Sequence, residues 1–198
     1  EQNSIILYPG ANRQITKEFV DEVLGEFQEG DVLLLQNEIN ELSYIMEQAY
    51  EKGMKIVLNP SPFDDALRLC NMESVSLFLV NEVEGFQMTG EKEPKEIIRK
   101  MHEMYPYAEV VLTLGSKGAL FAGKEEICEQ PIFLVKAVDT TGAGDTFTGY
   151  FVTAYYEGKE PEEALRLAAM ASAIAVTRKG AAVAVPMRDE VVQRLGCM

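Results

Sequence analysis

Short apolar runs alternate with amphipathic stretches through the first half of the chain, and this alternation restricts the fold more than any other feature. The apolar runs lie at residues 5–8, 32–35, 55–58 and 76–80. The stretches between them place apolar residues at helical spacing, and the connections are short. This β-α-β order predicts an α/β fold with a mostly parallel sheet and helices on both faces. The run at 32–35 is apolar throughout, which is typical of a strand covered on both faces.

Two helices of this half have well-marked apolar faces. Thr16 is expected to cap the first of them, because its hydroxyl can accept a hydrogen bond from the first turn. The predicted apolar face of this helix is Phe19, Val20, Val23, Leu24 and Phe27. The predicted face of the next helix is Leu42, Ile45, Met46, Ala49 and Tyr50, and Gly53 is its expected C-terminal stop.

The second half of the chain has a different order of elements. Residues 119–122 and 132–138 are apolar and flank a polar loop at 123–130, so they predict a β-hairpin. A helix from Ala143 and an almost wholly apolar helix from Pro161 follow, and the second should be buried. No repeat or linker interrupts the chain, so we expect one domain over residues 1–198.

Composition excludes several classes of function. The net charge is −14, which argues against binding to nucleic acid or to an anionic membrane. Cys70, Cys128 and Cys197 are far apart and odd in number, which favours neither a zinc site nor a disulfide framework. We interpret the single histidine, His102, as structural. The cysteine pattern predicts a reducing cytoplasm. No apolar run approaches the length of a membrane span and residues 1–4 lack signal-peptide character, so we expect neither a membrane span nor a signal peptide.

A glycine-rich stretch at residues 138–147 is the strongest indication of function. Gly142 and Gly144 allow close backbone approach, and the stretch opens a predicted helix whose free N–H groups attract anions. Asp145, beside these groups, could accept a proton from a hydroxyl that attacks a bound phosphate. These are the parts required for phosphoryl transfer. The alternative is an ordinary strand–turn–helix corner with a capping aspartate.

Four segments together resemble the ribokinase-like (PfkB) carbohydrate kinases. Residues 139–147 resemble the C-terminal signature of that family, and Asn81 to Glu84 resemble its NxxE motif. Residues 113–118 resemble its nucleotide-binding turn, and residues 174–181 resemble the ribokinase branch. The chain contains no Walker A motif and no protein-kinase motif set, which disfavours those architectures. The resemblance implies a three-layer α/β/α fold that phosphorylates a sugar hydroxyl with ATP.

The resemblance also assigns roles to individual residues. Asp145 matches the base that contacts the sugar, and the anion hole matches Gly142, Ala143 and Gly144. Nucleotide contacts match Asn81, Thr113, Gly115, Ser116, Gly118, Gly144 and Ala169. Glu84 matches a residue that organises Mg²⁺, and Glu38 matches a sugar-contacting acid. The family's ligands of an activating monovalent cation, usually K⁺, match Asp139, Thr141, Ala175, Arg178, Gly180 and Ala184.

Some positions depart from the family pattern or admit another interpretation. Ala169 stands where a polar residue is common, and Tyr150 stands where a small one is usual. Glu38 could be a solvated acid at a strand end, and Glu84 could simply begin a helix.

The N-terminal strands, the lid and most sugar contacts of the family have no counterpart in this sequence. The alternative function is therefore a truncated nucleotide-binding module without sugar kinase activity. The resemblance implies ATP and a small sugar as partners and allows a homodimer of a longer protein. It leaves the identity of the sugar open.

Overall fold

The computed structural model describes residues 8–124 and 126–197. These residues fall into two compact units that meet in the sequence between Val80 and Asn81. Both units contain buried apolar side chains. The single domain expected over residues 1–198 stays a prediction.

The first unit alternates helices with parallel strands. Its elements are α1 (Lys17–Gly25), β1 (Val32–Gln36), α2 (Leu42–Glu51), β2 (Lys55–Asn59) and β3 (Val75–Asn81). β2 pairs in parallel with both β1 and β3. This arrangement confirms the parallel strands. Between β2 and β3, however, the chain forms two 3-10 helices, Asp65–Leu69 and Met72–Ser74, and no α-helix. The predicted strand at residues 5–8 falls on residues 5–7, which lie outside the described residues, and on Tyr8, which belongs to no strand.

The predicted start of α1 and the predicted end of α2 are confirmed, whereas Phe27 lies beyond the end of α1 at Gly25. The Thr16 side chain accepts a hydrogen bond of 3.2 Å from the Phe19 N–H at the start of α1. Gly53 follows α2 with φ 75°, a left-handed conformation that glycine adopts without steric cost.

The predicted burial in this unit is partly wrong. Leu35 is buried but Leu34 is 43% exposed, so β1 is not covered on both faces. Among the described strands of this unit, β1 pairs with β2 along one edge, so few described elements lie beside it to cover its faces. Among the expected apolar faces, Phe19, Val23, Phe27 and Tyr50 are exposed, whereas α2 buries Leu42, Ile45, Met46 and Ala49. Among the described elements, α1 packs chiefly on α2, and it buries Val20 and Leu24.

The second unit combines helices with antiparallel strands. Its elements are α3 (Glu82–Thr89), α4 (Pro94–Met104), β4 (Glu109–Thr113), β5 (Ala119–Ala122), β6 (Ile127–Gln130), α5 (Ala143–Tyr156), α6 (Pro161–Ala175) and α7 (Arg188–Gly196). β5 lies between β4 and β6 and pairs antiparallel with both. α5 packs along α6, and ten of the fifteen residues of α6 are buried, as its apolar sequence predicts.

The predicted hairpin partner at residues 132–138 is wrong. β5 pairs with Ile127–Gln130, which the sequence suggested was a polar loop. β6 ends before Pro131, which has no N–H to donate to a ladder. Residues 132–138 form no strand, and Leu134 is 90% exposed. The Val138 N–H instead donates to the Val176 carbonyl at the end of α6, at 2.7 Å.

None of the helices in the described part of the chain combines the length and the apolar character that crossing a membrane requires.

Candidate active site

The start of α5 is shaped by the glycine-rich turn. Gly142 is the residue before the helix and has φ 72°, the left-handed region that favours glycine. A β-carbon on Gly142 would lie 3.3 Å from the β-carbon of Ala181, so the turn packs closely on a second loop. The Ala143 N–H donates to the Thr140 carbonyl at 3.2 Å. The expected strand–turn–helix geometry is therefore correct for the turn and helix but wrong for the strand.

Asp145 lies in the first turn of α5 and is exposed. It lines a cavity of about 600 Å³ together with Gly142, Tyr150 and Arg188; we name this the Asp145 cavity. Tyr150, which departs from the family pattern, forms part of its wall and donates a hydrogen bond of 2.7 Å to the Pro186 carbonyl. The bulky ring thus fixes the segment before α7.

The predicted nucleotide-binding turn follows β4 directly. Thr113 ends β4, and a single 3-10 turn, Gly115–Lys117, leads to Gly118. Gly118 has φ 106° and ψ −142°, and a β-carbon there would lie 2.1 Å from the Gln130 carbonyl oxygen. Only glycine fits at this position because the β6 backbone passes too closely for a side chain.

A second cavity, of about 430 Å³, brings most of the predicted nucleotide contacts together. We name it the turn cavity. Its walls include these predicted residues: Thr113, Gly115, Ser116, Gly118, Ala143, Gly144 and Ala169. The first turn of α5 therefore separates two cavities, with Ala143 and Gly144 lining the turn cavity and Gly142 and Asp145 lining the other.

Several residues of the turn cavity were missed by the sequence interpretation. They are Ile132, Phe133, Leu134, Val135, Ala137, Thr140, Phe147, Ser172, Ala173 and Val176. The segment at 132–137 was assigned to a strand because an extended cavity wall and a strand have the same apolar pattern. Pro131 is the residue in the sequence that could have indicated this, because it separates the segment at 132–137 from β6.

The NxxE segment forms a capping box at the start of α3. The Asn81 side-chain oxygen accepts from the Val83 and Glu84 N–H groups, at 2.8 and 3.0 Å. Glu84 is 7% exposed, and its carboxylate accepts from both the backbone N–H and the side-chain amide of Asn81, at 2.8 and 3.0 Å. Glu84 thus does lie at the start of a helix, where this motif satisfies the first N–H groups. Its role with Mg²⁺ stays a prediction.

Asp139 connects the glycine-rich turn to the loop after α6. One carboxylate oxygen accepts from the N–H and the hydroxyl of Thr141, at 3.0 and 2.7 Å. The other accepts from the Gly180 N–H at 3.0 Å. These hydrogen bonds, led by that from Gly180, lower the pKa of Asp139 to about 2.

The other residues assigned to the monovalent cation surround Arg178. The Arg178 N–H donates to the Ala175 carbonyl at 3.0 Å. Its guanidinium forms an ion pair with Glu190 and lies 3.4 Å from the Ala184 carbonyl oxygen. The structure therefore joins these residues through hydrogen bonds, and it gives Arg178 a side-chain role that the sequence interpretation did not include.

Glu38 is the one predicted site residue in the first unit. It lies in the turn after β1 and is exposed. The neighbouring Asn37 is buried, and its amide donates to the Pro62 carbonyl and to Asp64. This amide is the main reason that the pKa of Asp64 is lowered.

Comparison with known proteins decides the family. A family model described as pfkB family carbohydrate kinase matches residues 1–188. The chain belongs to the pfkB family of carbohydrate kinases. It is similar to ribokinase of Haemophilus influenzae, with 34% identity over 202 residues that cover 98% of this chain and 65% of that relative.

Solved structures agree with this pfkB assignment. Thermotoga maritima ribokinase matches with a TM-score of 0.82 at 36% identity, covering 98% of this chain and 66% of that one. Arabidopsis thaliana ribokinase, solved with ribose and ATP, matches with a TM-score of 0.83 at 31% identity, covering 98% and 65%. The ribokinase-like α/β fold is confirmed. This chain spans about two thirds of the length of these relatives.

Proposed function

We propose that this chain is the nucleotide-binding and catalytic part of an ATP-dependent sugar kinase. The observation that carries the proposal is the first turn of α5, which separates the turn cavity from Asp145. A nucleotide in the turn cavity would present its phosphates to the helix start, where N–H groups and the helix dipole favour anions. A hydroxyl arriving on the Asp145 side would meet a carboxylate.

The proposed reaction is an in-line phosphoryl transfer. Asp145 accepts the proton of the sugar hydroxyl as its oxygen attacks the terminal phosphorus of ATP. The bond from that phosphorus to the oxygen of ADP breaks, and the products are ADP and a sugar phosphate. Gly144 is the main N–H donor to the charge that develops, because the Ala143 N–H already donates to Thr140.

The site also fits Mg²⁺ brought by ATP. Two hydrogen bonds from Asn81 occupy part of the acceptor capacity of the Glu84 carboxylate, which leaves lone pairs for a hydrated ion. Mg²⁺ commonly binds through one or two carboxylates, waters and substrate phosphates. Bound there, the ion would neutralise phosphate charge that the net charge of −14 opposes.

The loops around Asp139 and Arg178 fit a monovalent cation. They offer the carboxylate of Asp139 and carbonyl groups of small residues, which are hard oxygen donors. We propose Asp139, Thr141, Ala175, Arg178, Gly180 and Ala184 as this site, with Arg178 contributing its carbonyl. A cation there would stabilise the loop that packs on Gly142.

Two measurements on the purified chain test the proposal. Calorimetry with Mg-ATP is expected to show binding, and a coupled assay is expected to show ADP release that depends on ribose, the sugar bound in the Arabidopsis relative. Binding without sugar-dependent turnover, across a panel of pentoses and hexoses, would favour the alternative, a nucleotide-binding module without sugar kinase activity. Glu38 is proposed as a sugar contact, which Glu38→Gln tests by an increase in the KM for sugar alone.

The setting of the proposed kinase follows from the same reasoning. Its partners are ATP and a small sugar, and we propose a cytoplasmic location with neither nucleic acid nor a membrane as partner. A homodimer stays a prediction.

A further inference from the structure

An ion pair connects the two motifs that flank the proposed nucleotide site. Lys117 Nζ lies 3.4 Å from Glu82 Oε1, although the residues are 35 positions apart. Lys117 belongs to the 3-10 turn between Ser116 and Gly118, both of which line the turn cavity. Glu82 directly follows Asn81 and begins α3. The pair therefore lies between the nucleotide turn and the capping box.

This pair is weakly held. The Lys117 side chain is 71% exposed and that of Glu82 is 42% exposed. An ion pair so open to water contributes little stability and exchanges partners easily. The pair therefore adds little to the stability of the turn.

The charge balance around the cavity gives Lys117 a different use. Among the described residues that line the turn cavity, none is a lysine or an arginine. A polyphosphate must approach a chain with a net charge of −14, so a nearby cation has a disproportionate effect on its binding. The Lys117 ammonium, on a flexible four-carbon stem, can leave Glu82 for a phosphate oxygen.

We propose that Lys117 is a phosphate-binding residue that Glu82 holds in reserve until a nucleotide arrives. When ATP enters the turn cavity, Lys117 exchanges Glu82 for the polyphosphate. This inference rests on the proposed nucleotide site. It adds one residue whose contribution depends on the number of phosphates and on the presence of Glu82.

The test compares four proteins: the wild type, Lys117→Gln, Glu82→Gln and the double variant. Calorimetry measures the Kd of each for ATP, ADP and adenosine at low salt. Lys117→Gln is expected to weaken ATP binding by about tenfold, the effect of losing a charge-assisted hydrogen bond. The affinity for ADP should fall less, and the affinity for adenosine should be unchanged.

The Glu82 variants distinguish the proposed exchange of partners by Lys117 from a general effect of surface charge. Glu82→Gln is expected to tighten ATP binding by roughly twofold to threefold, because it removes a weak competitor for Lys117. The double variant should match Lys117→Gln. The differences should shrink as salt screens the exposed charges. Lys124→Gln, an exposed lysine beyond the other end of β5, is the matched control and should behave as the wild type.

Each outcome decides the inference. It is overturned if Lys117→Gln binds ATP as the wild type does, if it weakens adenosine as much as ATP, or if Glu82→Gln tightens ATP binding when Lys117 is absent. A wild-type chain that binds neither ATP nor adenosine would refute the proposed function, and this inference with it. Both side chains are exposed, and unchanged circular dichroism would establish that the variants fold.

Discussion

The Asp139 carboxylate accepts a hydrogen bond of 3.0 Å from the backbone N–H of Gly180, which lies 41 positions further along the chain. This bond joins the glycine-rich turn before α5 to the loop after α6. Gly142 packs against Ala181 of the same loop. A β-carbon added to Gly142 would lie 3.3 Å from the β-carbon of Ala181. The position of the proposed anion hole thus depends on residues 178–181.

Asp139→Asn is expected to destabilise the protein above about pH 4 and to have little effect near pH 2. An amide has only one oxygen, which can face either Thr141 or Gly180, so at least one hydrogen bond is lost. The pKa of Asp139 is lowered from 3.8 to about 2 in the folded state, so its carboxylate stabilises the fold above the unfolded value. That contribution is lost as the pH falls through the folded pKa.

Thermal unfolding of both proteins between pH 2 and 7 measures this difference. We expect the melting temperature of Asp139→Asn to be lower than that of the wild type at neutral pH and the two to converge in acid. A constant difference across the range would show that the charge of Asp139 has no part in the effect.

Asp145→Asn should reduce kcat by about a thousandfold, within the range for loss of a general base. The asparagine has the same shape but cannot accept the proton. The Kd for ATP should change less than threefold, because the phosphates meet backbone groups. Stopped assays and calorimetry measure the two quantities.

Asp189→Asn is the matched control, since Asp189 is an exposed acid in the first turn of α7. It should leave kcat unchanged. Comparable turnover in both variants would remove Asp145 from the mechanism.

Gly118→Ala is expected to cost more than about 3 kcal/mol of folding free energy and to abolish ATP binding. The new β-carbon would lie 2.1 Å from the Gln130 carbonyl oxygen, in a backbone region that is almost exclusive to glycine. Urea unfolding gives the free energy.

Gly158→Ala separates the clash from the backbone strain. Gly158 also has a positive φ, 88°, but a β-carbon there would point into open space, with no neighbouring atom within 4 Å. Its substitution should cost about 1–2 kcal/mol, the penalty of a left-handed conformation alone. Equal losses in the two variants would mean that the close approach of β6 contributes nothing.

Glu84→Gln should change stability by about 1 kcal/mol or less, because the amide oxygen still accepts from the Asn81 backbone N–H. The dependence of activity on Mg²⁺ should shift to higher concentrations, since the charge is lost. Activity titrations with Mg²⁺ and urea unfolding separate these effects.

Glu84→Ala removes the capping box as well and should lower both stability and activity. Glu162→Gln, which neutralises an exposed acid in the first turn of α6, is the control for charge alone. If Glu84→Gln leaves the Mg²⁺ dependence unchanged, the carboxylate only caps α3.

Much of the candidate site follows from local sequence. The capping box of Asn81 and Glu84, the cap at Thr16 and the glycine before α5 are contacts between residues close in the chain, so their spacing predicts them. The turn at 113–118 is predictable for the same reason. Its meeting with Ala169 in one cavity was expected only from the family resemblance.

Other features depend on partners that the sequence does not identify. Residues 132–138 look like a strand, but strand formation requires a neighbour, and Ile127–Gln130 takes that place beside β5. Leu34 and Phe19 look like core residues, but the described elements around them cover only one side. The pairing of Arg178 with Glu190 likewise requires α7 to pack near the end of α6.

The sequence by itself determined the parallel order of the first unit, the helix starts and the chemistry available at residues 139–145. These depend on periodicity, capping and backbone freedom, which act over a few residues. Only the tertiary structure decided which strand pairs with β5, which apolar side chains are buried and that α5 begins between two cavities. Those outcomes depend on which distant surfaces meet, and the spacing of apolar residues in the sequence is the same whichever surface covers them.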